Sequence, residues 1–132
     1  MSTPVQVFTV VVLVALPTVM YGGYALLGLA TSGAPEDHRI RWFRAGHAHA
    51  GVLLVMVLAT LAVLDRTDLS TGIVWAVCGL LQFGVLAQSG GMFVHMVRGR
   101  PDRRSWGNTL TTVGAVALAA GMLVTAVGLA TT

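Results

Sequence analysis

The sequence predicts an all-α integral membrane protein: four transmembrane helices in one antiparallel bundle, residues 1–132, with both termini outside the cell. Three observations lead there: charge is scarce, apolar residues come in four long unbroken runs, and the arginines fall between those runs. Only 10% of the 132 residues are charged and 55% are hydrophobic, with a mean hydropathy of +0.80. A soluble domain of this size has about a quarter of its residues charged to solvate its surface. This chain instead has apolar runs of the roughly 20 residues that one bilayer crossing requires.

The spans are expected at about 5–30, 45–64, 71–97 and 107–129, separated by TSGAPEDHRIRWFR, by DRTDLS and by RGRPDRRSW. Each run is continuously apolar, whereas a barrel strand alternates apolar and polar over about 10 residues. A helix also satisfies every backbone amide within its own segment, which lipid demands. Pro17 and the Gly22-Gly23 pair interrupt span one and are tolerated there because neighbouring helices supply partners to the freed backbone. The first span lacks the basic start of a secretory signal and outlasts a signal's apolar core, so it reads as a retained helix. Cys78 is the single cysteine, inside IVWAVCGLL. It cannot form an internal disulfide and reads as a small packing residue.

Orientation follows from charge. All eight basic residues are arginines, and Arg39, Arg41, Arg44, Arg98, Arg100, Arg103 and Arg104 fall in the first and third linkers. Arg66 alone lies in the second, offset by Asp65 and Asp68. The positive-inside rule makes linkers one and three cytoplasmic. The pI near 10 is therefore a matter of membrane orientation and not of nucleic-acid binding. Trp42 and Trp106 are expected at the cytoplasmic interface and Trp75 at the outer one.

This topology collects the histidines. His47 and His49 open span two, His95 closes span three, and His38 lies in the first linker, all on the cytoplasmic side. His47 and His49 are about 200° apart around a helix, so one is expected to face the bundle and meet His95. Gln88, Gly91, Met92 and His95 share one face of span three. Asn108 and Tyr24 are expected at the same depth as supporting polar groups. Gly46 and Gly51 flank the histidine pair and read as sites of close helix approach or as room for a flat cofactor.

Imidazoles at such a place ligate metals, relay protons or bridge helices. One of His47 and His49 with His95 makes a bis-histidine heme b site. The mixed set of His47 or His49, Met92 and His95, with Met96 nearby, suits copper. Zinc lacks a carboxylate or thiolate at that depth. The arginine linkers also offer partners to anionic lipid or to a heme propionate. No nucleophilic triad, P-loop or dinucleotide fingerprint occurs, so the chain is not expected to be a complete enzyme by itself.

HAHAGVLLVM, from His47 to Met56, resembles the start of a span in small bacterial four-span proteins of the heme–copper oxidase subunit I-like group. The likeness covers about ten residues and the number of spans; where that group often has an asparagine two places after the second histidine, this chain has Gly51. The resemblance implies heme or a redox-linked role with His47 or His49 as ligand. It does not imply oxygen reduction, which needs more spans and more histidines. The expectation is thus a bacterial inner-membrane protein with heme b, or copper, serving electron transfer, sensing or assembly. Two readings stand beside it: an accessory subunit or homo-oligomer in a larger membrane complex with structural histidines, and a channel formed by an oligomer along the Gln88–His95 stripe.

Overall fold

The structure, a computed structural model, describes residues 1–33, 37–100 and 103–132, apart from the side chains of Leu29 and Ala30. The linker acids Glu36 and Asp102 lie outside the described residues. Four helices run alternately up and down: α1 (Thr3–Thr31), α2 (His38–Leu64), α3 (Thr71–Arg98) and α4 (Trp106–Ala130). All four are long and apolar enough to cross a membrane. Pro17 sits inside α1 without breaking it.

The ends are set by caps more than by composition. Asp37 starts α2 by accepting the Ile40 N–H at 3.0 Å. The helix therefore begins at His38, well before the expected span start at Ala45, and takes in the arginine-bearing RIRWFR segment. Ser105 starts α4 through a capping box with Asn108. Gly99 ends α3, its N–H donating to the His95 carbonyl at 2.7 Å.

In lipid the apolar effect does not distinguish a neighbouring helix from an acyl chain, so helices associate through close packing and hydrogen bonds. The α3–α4 pair shows how. Gly107, Gly114, Gly121 and Gly128 recur every seven residues along α4, and all four are buried. Gly84 and Gly91 face them from α3, also seven apart and buried. A methyl group on Gly91 would run into the Gly107 carbonyl oxygen and the Thr111 backbone nitrogen. One on Gly114 would meet the Gln88 backbone nitrogen and the Gly84 carbonyl oxygen. The backbones thus touch directly, and Thr111 Oγ1 donates across the seam to the Gln88 carbonyl at 3.2 Å. Such interhelical bonds average about 0.6 kcal/mol in membranes, so packing carries most of the pairing.

A sevenfold repeat is also the period at which two helices keep one seam in contact while coiling left-handedly. The other helices share it. Val5, Phe8, Val12, Leu16 and Val19 line the inner side of α1, and Leu54, Val57, Leu61 and Leu64 that of α2. These meet Val74, Val77, Cys78, Leu81 and Val85 of α3 in one core at the Asp65 end of the bundle. Trp75 joins that end, its ring edge-on to Phe8 at 6.0 Å. The outward side of α1 stays uncovered by protein, with Met20, Tyr21 and Tyr24 each more than 70% exposed.

Asp65 closes α2 and ties α1 to it: its carboxylate accepts the Ser2 N–H at 2.7 Å and lies 3.5 Å from the Met1 amino group. The Ser2 bond, more than the amino charge, holds the Asp65 carboxyl below its ordinary range. The contribution is therefore present at neutral pH and is lost as pH falls through that lowered value.

Two predictions follow from these contacts. Gly90 has open space where a methyl would go, so Gly90→Ala should leave stability unchanged or raise it by about 0.5–1 kcal/mol. Gly91→Ala, one residue on, should cost about 1–3 kcal/mol in reversible unfolding in mixed micelles. Equal stabilities for the two variants would contradict the seam. Acidification should weaken the wild type more than Asp65→Asn, which has no carboxylate to protonate, in thermal unfolding scans from neutral pH down to about 3.

Candidate functional site at the arginine-rich end

His95 lies on the last turns of α3 and is 3% exposed. Its Nδ1 is 2.7 Å from the Ser105 hydroxyl. That hydroxyl also accepts the Gly107 N–H at 3.1 Å and donates to Asn108 Oδ1 at 3.1 Å. A hydroxyl has one proton, so with it on Asn108 the His95 ring carries hydrogen on Nδ1. Trp42 packs against the imidazole at a 44° tilt, with centroids 4.1 Å apart, and His38 stands edge-on at 6.5 Å. His38 Nε2 is buried and has no hydrogen-bond partner among the described residues. His95 therefore joins the end of α3, the cap of α4 and the first turns of α2.

The register of α2 against α3 decides which residues reach it. Gly46 packs against Met92 and Phe93, which puts Trp42 level with His95. His47 and His49 then lie deeper by roughly 7 and 10 Å at 1.5 Å rise per residue. The expected meeting of His47 or His49 with His95 is replaced by contacts from His38 and Trp42. The cause is the early start of α2, which carries the helix past His95 before the HAH motif begins.

His47 turns to α1. Its ring covers the Gly22-Gly23 pair, and a Cβ on Gly23 would stand 3.0 Å from Nε2 and one on Gly22 3.3 Å from Nδ1. The glycine pair is thus a flat seat for an imidazole. His49 turns the other way and is exposed. Its Nδ1 lies 2.8 Å from the Ala45 carbonyl oxygen. A carbonyl only accepts, so Nδ1 carries the hydrogen and Nε2 presents its lone pair outward. Trp42, Ala45, His49, Val52 and Met56 follow one another at three- and four-residue steps, one flank of α2. Val52 and Met56 are exposed there.

The remaining expected residues separate. Met92 is buried and borders a cleft with Trp42 and Asn108, while Met96 borders a different one with Arg39, Ile40 and Phe43. Asn108 serves the α4 cap. Gln88 contributes its backbone to the α3–α4 seam, and Tyr24 is exposed on the outer side of α1. Among the described residues no three histidine, cysteine or acidic side chains gather as a metal cage. The sequence reading placed Trp42 only at the membrane interface and did not single out Ser105. Their signals were present: His38 and Trp42 at i and i+4, and a serine three residues before Asn108 at a helix start.

Fold and site together define a four-helix, membrane-span-like protein whose four histidines occupy three separate settings at its arginine-rich end. Comparisons with family models, with curated proteins and with solved structures find no match to this chain.

Ser105→Ala removes both the cap and the His95 partner, and should cost about 0.5–2 kcal/mol in thermal unfolding in detergent. Ser105→Asp restores a capping acceptor and should recover most of the loss. A Ser105→Ala protein as stable as wild type would show that the cap does not hold this end together.

Proposed function

We propose that the chain is a bacterial cytoplasmic-membrane protein that binds heme b through His49, with copper as the second choice of group, and serves electron transfer, sensing or assembly. The observation that carries this reading is the state of His49. With the arginine loops on the cytoplasmic side, His49 lies roughly 7 Å beyond Arg44 along α2, in the region that lipid surrounds. An exposed imidazole there is expensive unless something covers it, and ionisable groups within spans are functional by default. Its Nδ1–H is fixed on a backbone carbonyl, the arrangement by which proteins orient a histidine whose Nε2 ligates a metal. Val52 and Met56, exposed on the same flank, offer an apolar face to a flat macrocycle. In this reading His95 is a positioning residue that holds α3, α4 and the start of α2 in register, and His47 seats α1.

A second reading is favoured by those same two seats. His47 and His95 are both engaged inside the bundle, as befits a structural role in an accessory subunit or homo-oligomer.

The deciding experiment is an absorbance spectrum with metal analysis, on protein purified in mild detergent from cells supplied with heme precursor and copper. The heme reading expects a Soret band that His49→Ala abolishes and His47→Ala retains. Copper without a Soret band selects the second group. A colourless, metal-free wild type overturns both and leaves the structural reading.

A further inference from the structure

A cleft of about 420 Å³ opens at the arginine-rich end, with Trp42 and Met92 on one side and Arg104, Asn108, Thr109, Thr111 and Thr112 on the other. Its hydrogen-bonding groups include both donors and acceptors. Asn108 turns Oδ1 inward to accept the Ser105 N–H at 2.9 Å and the Ser105 hydroxyl at 3.1 Å. That leaves its NH₂ group for the cleft. The hydroxyls of Thr111 and Thr112 already donate to the Gln88 and Asn108 carbonyls, so toward the cleft they can only accept. Arg104 is exposed, and no carboxylate among the described residues lines the space. The start of α4 adds the positive end of its helix dipole. The cleft therefore presents a cation, an amide donor and a dipole to an anion, and two threonine oxygens able to accept from a headgroup hydroxyl.

The surroundings say what kind of anion enters. Buried Met92 and the Trp42 indole make one wall apolar, and Trp106, 82% exposed at the first position of α4, is an interface residue by type. We propose that this cleft holds the phosphodiester headgroup of an anionic phospholipid from the leaflet at the arginine-rich end. Its acyl chains run along the exposed side of α4, where Val113 and Val116 face outward. The site does not depend on whether His49 ligates heme.

Native mass spectrometry of the full chain, titrated in detergent with phosphatidylglycerol or phosphatidylcholine, tests this. Phosphatidylglycerol should bind more tightly, by about fivefold for each basic contact. Arg104→Gln should remove most of that preference. Asn108→Asp keeps the capping acceptor, replaces the donor with a negative charge, and should remove the rest. Arg66→Gln, at the opposite end, should change nothing. A wild type without the preference, or equal losses in Arg66→Gln and Arg104→Gln, overturns the proposal. Should Asn108→Asp not fold, Thr109→Val takes its place, and unchanged binding in both Thr109→Val and Arg104→Gln overturns it. Competition by millimolar glycerol phosphate or inorganic phosphate would mark a soluble-phosphate site and overturn the lipid assignment. A colourless protein that keeps the lipid preference would sink the heme reading alone.

Discussion

The direct backbone contact of α3 with α4 is the constraint on which the rest depends. Glycines at every seventh residue let Gly91 and Gly107 approach until no methyl group fits between them. That approach brings the start of α4 against the end of α3, so the Ser105 hydroxyl falls beside His95 Nδ1. With His95 fixed, Trp42 has a surface to rest on, and α2 takes its register from that contact and from Gly46 on Phe93. Each further helix is placed by one already placed.

The bundle is built differently at its two ends. At the Asp65 end, branched aliphatic side chains interlock around Leu61, Val77 and Leu81, all nearly inaccessible. At the arginine-rich end the helices meet through imidazoles, an indole, a hydroxyl and glycines. Apolar packing has no preferred chemistry toward a ligand, whereas the second kind of contact does. The groups able to bind something are therefore concentrated where the aliphatic core gives out.

Four runs, sparse charge and the arginine linkers were enough to read the helices and their order. The seam was legible too, since Gly107, Gly114, Gly121 and Gly128 announce a sevenfold repeat by spacing alone. Spacing alone does not show which glycines of α3 face that repeat, and only the contacts separate Gly91 from its open neighbour Gly90. The histidine constellation was less accessible. Counting spans placed all four histidines at one end, but their mutual depth turns on where α2 begins. An aspartate cap two turns upstream moved that start, and with it the partner of His95. Phase did foretell that His47 and His49 diverge. Which one turns outward follows from α1 docking through Gly22-Gly23, a fact about a partner helix and not about the motif.

The thin attachment of α1 has a consequence for how the molecule is made. α1 is synthesised before α2, α3 and α4, yet its seat needs Val5 and Val12 against the core and Gly22-Gly23 against a correctly turned His47. Those surfaces belong to α2 and α3, and α3 is itself held against α4 by the glycine seam. The seat of α1 is thus built wholly by chain made after it, so α1 can dock only where α2 and α3 already stand side by side.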